Sequence, residues 1–280
     1  MEEILRINME DYVLFGEGAS GESYNHRSNR SIMLKMAKDN SSLDEMRNEV
    51  AAAKKVYDLG ISCPKPGCLV TDGNGRYGIM FERIAGKISF SRAVGDHPDE
   101  VEKYARHFAR MCKTLHTTEV PDGLFPDIKK QYLKMAEEDL YFSDYEKSKV
   151  IAFLNASPDG HTAIHGDLQF SNAVMSPSGD YFIDLGEFAV GSPLFDLGMV
   201  CLTCRHGNDD FTREFYHMEP ESAAEFWIWF VKEYFGEDAD PDEKDALLTP
   251  YAGLKTLLIQ RNLKRPYPEF KKLLDGVFRG

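Results

Sequence analysis

The spacing of apolar residues changes character once along this 280-residue chain, near Gly86, and that change limits the architectures open to it. Before Gly86 the apolar residues come in runs of strand length, broken by turn-forming clusters. Residues 12–26 pass from apolar through glycine-rich to alternating polar, as in a hairpin that turns between Gly16 and Gly21. Residues 31–37 (SIMLKMA) are one more short strand, and residues 67–84 are two strands around an Asp-Gly-Asn-Gly turn. One helix interrupts them. Ser42 and Glu45 make a capping box, Met46, Val50, Ala53 and Val56 share a face, and Gly60 ends the helix.

After Gly86 the period is helical. Val101, Tyr104, Ala105, Phe108, Met111, Cys112 and Leu115 form one apolar stripe over residues 99–116. Ser143 with Glu146, and Ser222 with Glu225, signal two further helix starts. A β-like stretch, residues 162–186, lies between these two starts and carries a Ser-Pro-Ser-Gly turn. The expectation is an α+β protein: a small β-rich region over 1–84, a connector near 82–86, and a larger, mainly helical region over 85–280, with a cleft between the two regions.

Charge narrows the partners. The net charge is −13, which disfavours nucleic acid, since binding phosphates needs a basic face, and permits a cationic small molecule. Residues 205–245 hold thirteen Asp/Glu against four Lys/Arg, a solvated helix face followed by an acidic loop. No apolar run reaches the ~18 residues of a membrane span, and MEEILRINME lacks the basic and apolar parts of a signal peptide. No membrane association and a cytoplasmic location are expected. Five cysteines make no even disulfide set, in keeping with a reducing compartment. Cys201-x-x-Cys204 lies in an apolar helical run and has no second ligand pair, so it reads as core rather than zinc.

The chemistry is concentrated in His165-Gly166-Asp167-Leu-Gln-Phe-Ser-Asn172, followed by Asp184 in FIDLG. This spacing suits phosphoryl transfer. Asp167 can take the proton of an attacking hydroxyl, while the Asn172 amide oxygen and Asp184 can hold Mg²⁺ against phosphate oxygens. Such chemistry rests on positioning and charge neutralisation, so a few fixed carboxylates suffice.

With these residues the chain resembles the aminoglycoside phosphotransferase and choline-kinase group of kinase-like enzymes, over nearly its whole length. The resemblance implies a bilobal protein-kinase-like fold and the use of ATP with Mg²⁺. It makes Gly16, Gly18, Ser20 and Gly21 part of a glycine-rich loop over the ATP phosphates. It makes Lys35 the strand lysine on the α- and β-phosphates, held by Glu49 of the helix, with Glu45 as the alternative. It makes Phe81, Glu82 and Ile84 the hinge, where the Glu82 carbonyl and the Ile84 N–H meet adenine and Phe81 lines the back of the pocket. Asp196 then braces the catalytic loop from a helix start, and His116 is a packing or capping residue. The chain departs from the family at Gln169, where His is frequent, and at Phe170-Ser171, where Gly or Pro-Gly is common; loop detail and acceptor geometry are the features this puts in question.

The rivals are a protein kinase and a nucleotide-binding regulatory module. Only eleven residues separate Asp184 from Asp196, too few for an activation segment, and the motif reads HGD rather than HRD. Lys35, Asp167, Asn172 and Asp184 are all present, which favours catalysis over a regulatory module. The acceptor is then a small molecule, with aminoglycosides, amino sugars and amino alcohols all fitting. Asp209 and Asp210 are the favoured candidates to attract its ammonium groups, ahead of Glu214, Glu219, Glu221 and Glu225. Phe211, Tyr216, Trp227 and Trp229 offer stacking faces, although FWIWF at helical spacing reads more naturally as core.

Overall fold

The computed structural model describes residues 4–17, 21–38 and 43–280. The chain begins with strands β1 (Leu5–Arg6), β2 (Tyr12–Glu17), β3 (Gly21–His26) and β4 (Ile32–Ala37), then helix α1 (Leu43–Asp58), β5 (Pro66–Thr71), β6 (Tyr77–Glu82) and β7 (Ile88–Ser89). It continues through α2 (Phe90–Asp96), α3 (Val101–His116), α4 (Ile128–Glu138), α5 (Asp144–Ala156), β8 (Thr162–Ile164), β9 (Ala173–Ser176), β10 (Gly179–Phe182) and β11 (Ala189–Gly191). The remainder is α6 (Leu194–Arg205), α7 (Asp209–Phe211), α8 (Pro220–Phe235), α9 (Pro241–Gly253), α10 (Lys255–Leu263), α11 (Pro268–Lys271) and α12 (Asp275–Arg279). These elements form two compact units. The first joins residues 1–88 to residues 174–187; the second holds residues 89–173 and 188–280.

In the first unit a six-stranded sheet runs in the order β1-β5-β6-β4-β3-β2, with β1 parallel to β5 and the other pairs antiparallel. The alternation in β4 decides what each face carries. Leu34 and Met36 point to one side, where they pack with Tyr12 and Val70. Ala37 points to the other and packs with Met46 and Val50 of α1 and with Leu69 and Ile79. Lys35 shares the α1 face with Ala37, which is why its side chain meets that helix. The four apolar positions read from the sequence, Met46, Val50, Ala53 and Val56, are the buried residues of α1. Ser42, the expected cap, lies outside the described residues. The turn over Leu185–Glu187, which follows β9 and β10, packs on α1.

The second unit is helical around an aromatic core. Phe108 of α3 meets Phe90, Phe226 and Phe230 at ring-centroid separations of 5.3, 5.9 and 5.8 Å. Trp227 is fully buried and its indole N–H donates to the Pro241 carbonyl at 3.0 Å. FWIWF is therefore core at Phe226, Trp227 and Phe230. Helix α6 is buried nearly all round, as its lack of a polar face requires. Three starts deserve comparison with the sequence. The Ser143–Glu146 capping box is present in full. Residues 98–100 form a single 3-10 turn ahead of α3. Helix α8, however, starts at Pro220 after Glu219, so Ser222 sits inside the first turn rather than capping it. Proline at the first helical position has no N–H to satisfy, and it moves the cap from Ser222 to Glu219, three residues earlier. Among the described residues no helix is long and apolar enough to cross a membrane.

Candidate active site

The first unit assembles one cationic centre. Lys35 donates to Glu49 Oε1 at 2.6 Å and to Asp184 Oδ1 at 2.8 Å. Burial alone would lower the Lys35 pKa, but the Asp184 and Glu49 carboxylates outweigh it and hold the ammonium well above the ordinary lysine value. Strand alternation and helix periodicity explain the pairing: Glu49 is one residue before the buried Val50, at the rim of the face that packs on β4. Asp184 arrives from 149 residues downstream, two residues past the end of β10. Its φ of 62° lies in the left-handed region. For a residue with a Cβ this costs about 1–2 kcal/mol, least for Asp and Asn. The turn thereby aims its carboxylate back at Lys35, with 43% of the side chain exposed.

Of the four residues expected over the phosphates, Gly18 and Ser20 lie outside the described residues. Gly16 is the last but one residue of β2 and pairs with Ser23, where an added Cβ would meet nothing within 4 Å. Gly21 pairs with Ala37, and a Cβ there would stand 2.5 Å from the Met36 carbonyl, so the sheet itself requires that glycine. In the expected hinge, Phe81 pairs with Met33 and Pro66 across β6, and the Glu82 N–H donates to the Lys65 carbonyl at 2.9 Å. Ile84 buries its side chain, and among the described residues none accepts from its backbone N–H.

The second unit builds the HGD loop. Leu168 and Phe170 are fully buried and anchor it, Phe170 against Tyr216 and Phe226 at 4.6 and 5.5 Å. The larger residue at Phe170, a departure from the family pattern, is thus a hydrophobic pin. From below, the carboxylate of the fully buried Asp196 accepts from the N–H of His165 at 2.7 Å and of Gly166 at 2.8 Å. His116 adds its Nε2 to the same carboxylate at 3.1 Å, and its Nδ1 meets the Tyr234 hydroxyl at 2.8 Å. The carboxylate only accepts, so His116 Nε2 donates to it, while Nδ1 shares a hydrogen bond with the Tyr234 hydroxyl. Gly166 has φ 81°, a conformation that suits glycine, and it turns Asp167 out of this brace.

Both oxygens of Asp167 are engaged. Oδ2 accepts from the Gln169 and Asn172 amide nitrogens, each at 3.1 Å, and Oδ1 accepts from Lys255 Nζ at 2.6 Å. Gln169 in turn accepts from the Tyr216 hydroxyl. Burial first, then the neighbouring Asp167 charge, keep that phenol's pKa well above its usual value, so Tyr216 stays a donor. Asn172 spends its amide nitrogen on the Asp167 backbone carbonyl (2.9 Å) and carboxylate, which turns its Oδ1 away from both. No described residue donates to that Oδ1. The Asn172 amide oxygen in the second unit and the part-exposed Asp184 carboxylate in the first are each, taken singly, the kind of hard donor that Mg²⁺ prefers.

Lys255 carries no signal in the sequence, where it is a lone lysine 88 residues after Asp167. Tyr216 is offered by the sequence as a stacking face, and its role as the donor to Gln169 is not readable there. Asp209 and Asp210 open α7 after the Asn208 cap; both are exposed, and Asp210 lies 3.9 Å from Arg213. Glu219 pairs with Arg213 at 2.9 Å and Glu225 accepts from the Trp229 indole at 3.2 Å. All five cysteines are free thiols. Cys201, His206 and Asp245 bring their ligand atoms within 4.8 Å of one another. Asp245, though, accepts from His206 (2.8 Å), Cys201 (3.3 Å) and the Arg205 guanidinium (3.2 Å), a closed network with its own cation. Cys204 is outside it.

No curated protein sequence matches the chain. Among solved structures, a thermostable mutant of the aminoglycoside phosphotransferase APH(4)-Ia, in a ternary complex with AMP-PNP and hygromycin B, is similar with a TM-score of 0.65. It is 12% identical, over 96% of this chain and 93% of that one. The amicoumacin kinase hAmiN, in complex with AMP-PNP, Ca²⁺ and Ami, gives 0.58 at 17% identity, over 99% and 89%. A choline/ethanolamine kinase family protein from Mesorhizobium loti gives 0.55 at 18% identity, over 96% and 85%. These likenesses establish the fold: a β-sheet N-terminal region and a helical C-terminal region of the kinase-like type. The family model described as the phosphotransferase enzyme family matches residues 11–226, and the chain belongs to that family.

Proposed function

We propose that the protein transfers the γ-phosphate of ATP to a hydroxyl of a small-molecule acceptor, with Asp167 receiving the proton. The observation that carries this reading is the split use of Asn172. Its nitrogen fixes Asp167 while its oxygen is left for a cation, so one residue ties the base to the metal. In this reading Lys35, held by Glu49, orients the α- and β-phosphates, and the backbone around Gly16, Gly18, Ser20 and Gly21 covers them. The Glu82 carbonyl and the Ile84 N–H take adenine, and Phe81 lines the pocket. Asn172 and Asp184 hold Mg²⁺, which when bound neutralises phosphate charge. Asp167 orients the hydroxyl, the new O–P bond forms as the bond to ADP breaks, and the proton passes to the carboxylate.

A small acceptor is favoured over a protein because the chain after Asp184 goes straight through one turn (Leu185–Glu187) and β11 into α6. The acceptor class in this proposal is an aminoglycoside, amino sugar or amino alcohol, with Asp209 and Asp210 offered to its ammonium groups and a cytoplasmic setting. The hygromycin B and amicoumacin relatives support the class only, because one fold hosts many acceptors. The test is ADP release from Mg-ATP with kanamycin, hygromycin B, choline and homoserine, run beside Asp167→Asn. Acceptor-stimulated release that falls by about 10³-fold in kcat in the variant is the expected result. Wild-type turnover in Asp167→Asn would refute the assignment.

A further inference from the structure

Lys255 is the first residue of α10, and α10 is fixed independently of it. Leu257 and Leu258 are buried, and Gln260 donates to the buried Asp139 at 2.8 Å while accepting from the Tyr267 N–H at 3.0 Å. The helix therefore presents the Lys255 ammonium from a rigid support, with its side chain 16% exposed, 2.6 Å from Asp167 Oδ1. A carboxylate has about four lone-pair directions, two on each oxygen. On Asp167 both directions of Oδ2 are taken, by Gln169 and Asn172, and one of Oδ1 is taken by Lys255.

We propose that Lys255 is a positioning residue for Asp167: it fixes Oδ1 so that its one remaining lone pair is where the acceptor hydroxyl must donate. This rests on the phosphotransfer reading above and sharpens it, because it names the oxygen that receives the proton. In the step, the hydroxyl oxygen bonds to the γ-phosphorus, the bond from that phosphorus to the β,γ-bridging oxygen breaks, and the hydroxyl proton moves to Oδ1. Without Lys255, Oδ1 has two open directions and the carboxylate can rotate about its Oδ2 contacts, so the hydroxyl is no longer held in line. An ordinary structural ion pair would instead contribute to folding and leave the turnover of the folded enzyme unchanged.

Misplacing a reacting group by about 1 Å costs about 10²-fold in rate. Lys255→Met, which keeps the length and loses the charge, is therefore expected to lower kcat about 100-fold with the KM for ATP changed less than threefold. Lys255→Arg should recover to within about tenfold of wild type, since it restores a donor to Oδ1 with altered geometry. ADP release is measured with water as acceptor and with kanamycin, hygromycin B, choline and homoserine, beside Asp167→Asn and with thermal unfolding of each variant. Should Lys255→Met not fold, Lys255→Gln carries the same test. If the neutral variant keeps kcat within threefold while Asp167→Asn loses it, the positioning role is overturned and the phosphotransfer reading stands. If Asp167→Asn keeps turnover, or the wild type releases no ADP with any acceptor, the underlying reading itself is overturned.

Discussion

Removing the Asp196 carboxylate gives the most calculable test of how the catalytic loop is held. Asp196 is fully buried and accepts three hydrogen bonds, from the His165 N–H, the Gly166 N–H and His116 Nε2. Asp196→Ala leaves two buried donors, on His165 and His116, and the part-buried Gly166 N–H unpaired, each costing about 1–3 kcal/mol. Water entering the vacated space recovers part of this, so about 3–6 kcal/mol is the net expectation, against a typical total stability of about 5–15 kcal/mol. Asp196→Asn keeps one oxygen. Its best orientation serves His165 and His116 and turns the amide NH₂ against the Gly166 N–H, a loss of about 2–4 kcal/mol. The assay is urea unfolding followed by tryptophan fluorescence. The chain's two tryptophans, Trp227 and Trp229, both lie in the second unit, so the signal reports the unit that contains the brace. With a slope of about 2–3 kcal/mol/M, the alanine variant should lose about 1–3 M in midpoint, and the asparagine variant visibly less. An alanine variant within 1 kcal/mol of wild type would refute the account of Asp196 as the anchor of the HGD loop.

Other expectations follow from neighbouring contacts. Lys35→Met leaves Glu49 and Asp184 without their shared cation, and should lower kcat/KM for ATP by about 10²-fold or more in the ADP-release assay. Tyr216→Phe keeps the ring on Phe170 but releases Gln169, and a kcat loss of about 3–10-fold is expected, the size of one hydrogen bond. Burial pushes the Cys63 and Cys204 thiols up to about 12, and raises Cys112 and Cys201 as well. A thiol-disulfide reagent at pH 8 should therefore modify Cys68 alone in the native protein, and rapid modification of a second cysteine would contradict the burial. For Asp245, burial acts to raise the pKa, but the His206 hydrogen bond and charge, with Cys201 and Arg205, outweigh it and hold the carboxyl well below its usual range. Its stabilisation is then fully present above the unfolded value of about 4 and is lost as pH falls below it. Asp245→Asn should flatten the acid limb of the tryptophan-monitored stability curve below pH 4.

Part of this was legible. The pairing of Lys35 with Glu49 rests on the family resemblance, and strand alternation in β4 gives its physical reason once α1 is seen to pack on the face that Lys35 shares with Ala37. The HGD spacing marks Asp167 and Asn172 because five residues of loop place them on one side of a turn. What stayed hidden depends on contacts with no period. Lys255 reaches Asp167 across 88 residues, and a single lysine at a helix start looks like any solvated charge. Gln169 and Phe170, seen only as departures from a family, have their reasons in Tyr216 and the aromatic core, which tertiary packing supplies. At the start of α8 two helix-start signals compete, and a proline at the first position outranks a serine two residues later.

The first unit is completed by residues 174–187, and this has a consequence in time. During synthesis Lys35 and Glu49 leave the ribosome well over a hundred residues before β9, β10 and Asp184 follow, Asp184 being 149 residues after Lys35, an interval of about 6–30 s at ordinary elongation rates. For that interval the face of α1 that later receives the Leu185–Glu187 turn is open, and the Lys35 ammonium lacks one of its two carboxylates. That face of α1 stays uncovered while the second unit's first helices are being made. Slow codons read after α1 has left the ribosome and before residues 174–187 have left it would lengthen that exposure, and later ones would not. Expression yield is thus tied to where along the message the ribosome pauses, through a hairpin whose place in the fold and place in the chain differ.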